Sequence, residues 1–205
     1  MTAKNKREHR LVEIRAVDNE ENKMLIEGYA ITFEKPATHK YIGRKFTETI
    51  KRGALDGTDM KDVPLRYNHN DTWLIMARTR NRSLELIVDD VGLKIRAELL
   101  DTQSNRDAYK AIQAGLIDKT SFAFTVSDGG DTWSFGESET VREVNAIDKL
   151  WDVSVVDTPF YDSTSIYARS FDLLESEEKR LESLNEQERK QVELRKRKMK
   201  MMKGW

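Results

Sequence analysis

The feature that most constrains the fold of this chain is a succession of short stretches in which apolar and polar residues alternate. Alternation with a period of two is typical of strands that bury one face. Seven or more such stretches follow one another at hairpin spacing, which favours a mostly antiparallel barrel or closed sandwich that also carries helices. The clearest predicted strands cover residues 11–17, 23–33, 74–80, 84–88, 92–99, 119–126, 132–135, 138–147 and 150–156.

Other local signals predict the elements between these strands. N-capping residues at 104–107 predict a helix of about three turns that Gly115 ends. Apolar residues within 46–57 predict a short helix or turn. The sequence Asp128-Gly129-Gly130-Asp131 predicts a hairpin turn. Gly28, inside a predicted strand, predicts a bulge or a close approach of another backbone segment.

The character of the chain changes at Asp172. Residues 172–205 are almost all charged or polar, with acidic residues first and the basic sequence LRKRKMKMMKGW at the end. This composition favours helix but lacks the sustained apolar face of a coiled coil. We therefore predict a β-barrel domain at residues 1–171 and a charged helical tail at residues 172–205, outside the core.

The composition of the whole chain excludes several functional classes. The formal net charge is −1, so the chain as a whole is not a nucleic-acid-binding polycation. It has no cysteine, which excludes disulfides, thiol nucleophiles and zinc–thiolate sites. The sequence predicts neither a secretory signal nor a membrane-spanning segment, and so predicts a soluble, cytoplasmic protein.

Ser121 lies at the start of the predicted strand 119–126. Phe122 and Phe124 would point to the core, and Ser121 and Ala123 to the opposite face, with room around the Ser121 hydroxyl. A rigid strand is a suitable support for a nucleophile. The alternative is an ordinary polar residue at the start of a strand.

Two other residues have side chains that acyl transfer would need. His69 follows a short apolar segment and stands in the polar loop Asn68-His69-Asn70-Asp71, where imidazole can accept a proton near neutral pH. Asp152 stands in the apolar strand 150–156, where a carboxylate is costly to bury unless it is paired. The alternatives are a solvated loop histidine and a strand-end carboxylate. If Asp152 does not fill the third role, Glu143 is the reserve candidate.

Several short stretches of the chain occur in the same order as in a known enzyme family. Over about residues 10–170 these are Glu27-Gly28-Tyr29-Ala30 with Phe33, Phe46–Ile50 with Gly53-Ala54-Leu55, Leu65–Asn70, Gly92-Leu93, Thr120–Phe124, and Leu150–Val156 with Pro159. In this pattern the chain resembles the prohead proteases of tailed phages, the serine peptidases of procapsid maturation that are related in fold to herpesvirus assemblins. Each stretch is weak alone, but together they are specific.

The resemblance implies a fold and roles for individual residues. It implies an assemblin-like antiparallel β-barrel flanked by helices, with Ser121 as nucleophile, His69 as base and Asp152 as the acid that orients it. The chain departs from the family at Ala123, where glycine is frequent. It also lacks the arginine that assemblins use near the oxyanion, so backbone N–H groups are the expected donors.

The implied activity is a serine endopeptidase, without metal or cofactor, that cleaves capsid and scaffold protein in procapsid maturation and processes itself. Its implied partners are the major capsid protein and its scaffold segment, inside a prohead assembling in the host cytoplasm. Homo-oligomerisation is left open, and neither a membrane nor a nucleic acid is an expected partner. The competing interpretation is a non-catalytic assembly or scaffolding protein that uses the same barrel and the charged tail.

Overall fold

The computed structural model describes residues 8–17, 23–41, 44–71, 75–157, 179–180 and 182–195. This part of the chain is mostly β-structure with helices, which confirms the predicted fold class. Its strands are β1 (Glu8–Val17), β2 (Leu25–Thr32), β3 (Ala37–Tyr41), β4 (Arg44–Ile50), β5 (Pro64–Tyr67), β6 (Ala77–Arg78), β7 (Leu84–Val88), β8 (Gly92–Glu98), β9 (Lys119–Val126), β10 (Asp131–Phe135), β11 (Glu139–Val144) and β12 (Ile147–Val156). A 3₁₀ helix covers Thr79–Asn81 and the helix α1 covers Gln103–Gln113.

The larger sheet has eight strands and is nearly closed. Its strand order is β6-β5-β12-β9-β1-β2-β8-β7, and its neighbours are antiparallel except for the parallel pair β5 and β12. The edge strands β6 and β7 are joined by the short segment 79–83, in which the Arg78 N–H donates to Ser83 Oγ at 2.9 Å. This short connection brings the two edges together, so the sheet has the form of a barrel.

Strand β9 lies in the middle of this sheet and shows the predicted alternation. Phe122 and Phe124 belong to the hydrophobic core and stack on each other with ring centroids 5.3 Å apart. Ser121, Ala123 and Thr125 point to the opposite face, where they too are buried. The core contains further fully buried side chains, among them Ile26, Leu65, Leu93, Ile95 and Leu150.

The predicted close approach at Gly28 is confirmed. Gly28 lies opposite Ile14 in the ladder between β1 and β2. A Cβ atom at this position would lie 2.3 Å from the Glu13 carbonyl oxygen, which no side chain can tolerate. Glycine is therefore required at this position of the β1–β2 ladder.

The smaller sheet corrects two of the sequence predictions. It has the order β10-β11-β4-β3, and its strand β4 occupies residues where we expected a short helix or turn. The helical reading was wrong because Glu48, between Phe46 and Ile50 on one face, is itself buried against the Arg142 guanidinium at 3.0 Å. The alternation that marks a strand was therefore hidden by a buried charge.

The turn at residues 128–131 is present but does not form a hairpin. Gly129 has a φ of +69°, and the Gly130 N–H donates to the Ser127 carbonyl at 2.8 Å. However, β9 pairs with β1 and β12, whereas β10 pairs with β11. The turn therefore carries the chain from the larger sheet to the smaller one.

Helix α1 begins slightly earlier than predicted. Thr102 is its N-cap, and the Thr102 hydroxyl accepts a hydrogen bond from the Asn105 N–H at 3.3 Å. Gly115 follows its C-terminus with a φ of +70°, as the sequence indicated.

The chain divides into two compact units, Met1–Asp162 and Ser163–Trp205. In the second unit, residues 179–180 and 182–195 are helical and exposed, and Glu186 and Lys190 form an ion pair at 2.6 Å. The predicted boundary after residue 171 falls within residues 158–178, outside the described part of the chain, and stays a prediction. Among the described residues, no helix combines the length and apolarity that crossing a bilayer requires.

Candidate active site

The face of the larger sheet that points away from the hydrophobic core carries a row of short polar side chains. In the antiparallel ladder of β9 and β12, Ser121 lies opposite Ser154, and Ala123 lies opposite Asp152. Side chains of directly opposed residues stand on the same face with Cβ atoms about 4.5–5.5 Å apart. The ladder therefore places Ser121, Ser154 and Asp152 together on this face.

A β-bulge in β12 aims Asp152 at this face. Leu150 pairs with Phe124 on the core side, yet Asp152, two residues later, pairs with Ala123 on the other side. Strict alternation would have placed both Leu150 and Asp152 in the core. The extra residue, Trp151, shifts the register by one and turns the carboxylate away from the core.

The parallel pairing of β5 with β12 brings His69 to the same place. Tyr67 lies opposite Val155, and the Asn68 N–H donates to the Val155 carbonyl at 2.9 Å. Because the strands run in the same direction, β5 ends beside the end of β12. The turn that follows β5 then carries His69 back over the β12 residues.

This turn has an uncommon backbone conformation. Asn68 and His69 both have positive φ angles, 50° and 52°. Asparagine and histidine are among the residues that tolerate this region best, but each such residue still costs of order 1–3 kcal/mol unless its surroundings hold it there. Contacts with the surrounding residues therefore have to hold the turn in this conformation.

Asp157, just after β12, holds the turn from one side. Its carboxylate accepts hydrogen bonds from the Tyr67 hydroxyl and from Asn68 Nδ2, the latter at 3.0 Å, and its own N–H donates to Asn68 Oδ1 at 3.2 Å. Burial and the hydrogen bond to Asp157 raise the pKa of Tyr67 to about 12, so the phenol stays protonated as a donor. Arg66 holds the other side of the turn through the Asn70 carbonyl at 3.1 Å and the Asp71 carboxylate at 3.3 Å.

The turn presents the His69 imidazole to Asp152. His69 Nδ1 lies 2.5 Å from Asp152 Oδ1, and the two side chains are only 9% and 3% exposed. Ser154 joins them: its hydroxyl donates to Asp152 Oδ1 at 2.9 Å, accepts from the His69 backbone N–H at 3.1 Å, and lies 3.2 Å from His69 Nδ1. The buried carboxylate is thus both paired and hydrogen-bonded.

The contact with Asp152 bears on the tautomer of His69. An ionised Asp152 can only accept, so the 2.5 Å contact requires a proton on His69 Nδ1. The lone pair of the neutral ring then lies on Nε2. An imidazole held in this way can accept a proton at Nε2, while the carboxylate stabilises the cation that forms.

Ser121 is the remaining polar group of the row and differs from its neighbours. Its side chain is fully buried, and its hydroxyl has no hydrogen-bond partner. Leaving a buried hydroxyl unsatisfied costs about 1–3 kcal/mol, and such groups are rare enough to require an explanation. No hydrogen bond joins the Ser121 hydroxyl to His69 in this structure, and the residue opposite Ser121 in β12 is Ser154.

The structure thus places all three candidate residues on one face, with His69 and Asp152 in direct contact. The reserve residue Glu143 lies instead on the smaller sheet, where it pairs with Lys51 at 3.5 Å. Sequence reasoning missed Ser154 and Asp157. Ser154 could have been found, since it stands two residues after Asp152 in the same strand and must share its face.

The described part of the chain contains no group of three or more histidine, cysteine, aspartate or glutamate residues arranged to hold a metal ion.

Comparison with known proteins supports the family suggested by the sequence stretches. A family model described as caudovirus prohead serine protease matches residues 10–178, a range that includes every residue of the site. Neither the curated proteins nor the solved structures gave a match.

Proposed function

The chain belongs to the caudovirus prohead serine protease family, and on that premise we propose that Ser121, His69 and Asp152 form its catalytic triad. Ser121 is the nucleophile, His69 Nε2 takes the hydroxyl proton and returns it to the leaving amine, and Asp152 orients the imidazole through Nδ1. Backbone N–H groups are the donors that we expect to stabilise the tetrahedral oxyanion.

One observation carries this assignment. A buried Asp152–His69 pair lies beside Ser121, whose buried hydroxyl lacks a hydrogen-bond partner. A purely structural serine at a fully buried position is normally satisfied. A hydroxyl that exchanges partners during a reaction has to be available to its base, and catalytic hydrogen bonds are often absent until substrate binds.

The burial of Ser121 adds a conformational step to the proposal. Its side chain has no exposed surface, so a peptide carbonyl reaches it only after the face of β9 opens. We interpret the structure as the closed form, in which no hydrogen bond joins the Ser121 hydroxyl to the imidazole. Opening and a change of the Ser121 rotamer complete the triad.

The substrate in this proposal is the major capsid protein with its scaffold segment, cleaved inside an assembling prohead in the host cytoplasm. Self-cleavage in the charged tail belongs to the same activity, because the described tail residues are exposed. Homo-oligomerisation is compatible with this function and is not required by it.

The experiment is co-expression of the chain with its major capsid protein, followed by mass spectrometry of the capsid protein. The wild-type chain is expected to give a discrete cleavage product, Ser121→Ala none, and the matched control Ser134→Ala, an exposed serine on β10, the wild-type amount. The same product with Ser121→Ala would overturn the assignment of the nucleophile. Assembled shells without any cleavage by the wild-type chain would favour the alternative, a non-catalytic assembly protein.

A further inference from the structure

Ser154 is the residue that links every part of the candidate site. It is fully buried, lies opposite Ser121 in the β9–β12 ladder and contacts both His69 and Asp152. Its single hydroxyl serves as donor to the Asp152 carboxylate and as acceptor from the His69 backbone N–H. Neither the family match nor the three-residue triad gives this hydroxyl a function.

Ser154 is not placed to be the nucleophile. It lies 3.2 Å from Nδ1, the ring nitrogen that faces Asp152, and its proton is directed at the carboxylate. A nucleophilic serine has to give its proton to the nitrogen with the lone pair, which is Nε2 in this tautomer. The Ser154 hydroxyl is therefore on the orienting side of the imidazole.

We propose that Ser154 is a positioning residue, whose hydroxyl fixes both the strained backbone of His69 and the carboxylate that orients its ring. The hydrogen bond from the His69 N–H ties down a residue with a positive φ, and the bond to Asp152 Oδ1 ties down the acid. One group thus sets the geometry between base and acid, as hydrogen-bonded supports commonly do around catalytic groups. This role rests on the proposed function of His69 as base.

Loss of the Ser154 hydroxyl should have an electrostatic effect on His69 that the loss of a packing contact alone would not have. Without the Ser154 donor, the negative charge of Asp152 is shared with fewer donors and acts more strongly on the His69 cation. The imidazolium form of His69 is therefore stabilised relative to the neutral ring. The other groups that face the turn (Tyr67, Asp157, Arg66 and Asp71) keep their contacts in such a variant.

The first test is the pH profile of kcat/KM for Ser154→Ala in the full-length chain, with capsid protein as substrate. We expect kcat to fall roughly 10- to 100-fold, as for loss of a hydrogen bond to a charged group, with KM little changed. The acidic limb of the profile is expected to move to higher pH. Ser154→Thr, which keeps the hydroxyl, should restore the position of that limb.

Ser83→Ala is the matched control. The Ser83 hydroxyl also accepts from a backbone N–H, that of Arg78, and donates to a side-chain carbonyl, that of Asn81, but it lies on the β6–β7 connection. The Ser83→Ala substitution should leave the position of the acidic limb of the kcat/KM profile unchanged. If the acidic limb of the kcat/KM profile lies at the same pH in Ser154→Ala as in the wild type, the proposal is overturned, however far kcat/KM itself has fallen.

A second readout does not depend on proteolysis. The chain has three histidines, so ¹⁵N NMR of the imidazoles can be assigned with His9→Gln and His39→Gln variants. Neutral His69 is expected to carry its proton on Nδ1 in the wild-type chain, and to titrate at higher pH in Ser154→Ala. An Nε2-protonated ring in the wild type, or an unchanged titration in the variant, would contradict the role of Ser154. Either result stands even if the chain cleaves no capsid protein, so the two proposals can fail separately.

Discussion

Ser121 and Ser154 face each other across the ladder of β9 and β12, yet their hydroxyl groups have opposite status. Ser154 is bonded to Asp152 and to His69, whereas the Ser121 hydroxyl has no hydrogen-bond partner. Both are fully buried. Ser154 therefore supports the His69–Asp152 pair, whereas the Ser121 hydroxyl is free to form a new hydrogen bond with it.

Asp152→Asn should retain a measurable fraction of the cleavage rate, whereas Ser121→Ala and His69→Ala should each abolish processing. The orienting acid usually contributes less than the nucleophile or its base. Initial rates of capsid-protein cleavage measure this. Wild-type activity in His69→Ala would show that His69 is not the base.

Tyr67 should make the stability of the protein depend on alkaline pH. Burial and Asp157 raise its pKa from 10.0 to about 12, so folding favours the protonated phenol. That stabilisation is complete below pH 10.0 and is lost as the pH rises through about 12. The free energy of unfolding can be measured with urea for the wild type and for Tyr67→Phe between about pH 9 and about 12. It should fall more steeply with pH in the wild type, because the other titrating groups are the same in both proteins. Parallel curves would contradict the raised pKa.

Arg142 should matter for stability more than any exposed arginine. Its guanidinium lies between Glu48 at 3.0 Å and Asp131 at 2.7 Å, and its side chain is 3% exposed. Arg142→Ala removes this cation from a buried carboxylate, which should cost about 3–5 kcal/mol in the free energy of unfolding. Replacing both Arg142 and Glu48 by methionine should recover most of that loss.

The control for this prediction is Arg80→Ala. Arg80 is 70% exposed and lies 3.7 Å from Asp62. Its removal should change the free energy of unfolding by less than about 0.5 kcal/mol. Equal effects of the two alanine substitutions, measured by denaturant unfolding, would refute the buried network as a stabilising element.

A chain ended after residue 171 should melt near the temperature of the full-length protein and still cleave a capsid-derived substrate. The described helical residues beyond that point are exposed and add little buried apolar surface. Recruitment into the prohead should be weakened instead, because the tail has separate acidic and basic parts that suit charge-complementary docking. Calorimetry is the measurement, and loss of cooperative unfolding would show that the boundary is misplaced.

The sequence predicted the strands with regular alternation well, and β9 with its core and site faces was among them. It did not predict how the strands pair, because partners far apart in sequence leave no local signal. The parallel pairing of β5 with β12, which delivers His69, and the passage from β9 to the smaller sheet belong to this class.

The candidate triad came from family resemblance, since spacing alone could not select three residues among many. The bulge at Trp151 shows why: alternation from Leu150 would have put Asp152 in the core, on the wrong face for His69. A buried charge also disturbs the prediction of strands from alternation, because Glu48 in β4 is charged and yet lies buried on the same face as Phe46 and Ile50.

The most direct test of the central claim is to map a fluorophosphonate adduct by mass spectrometry on the full-length chain during active processing of capsid protein. We expect one adduct, on Ser121, that is lost in His69→Ala. An adduct on Ser154 or on another serine, or complete processing without any adduct on Ser121, would contradict it.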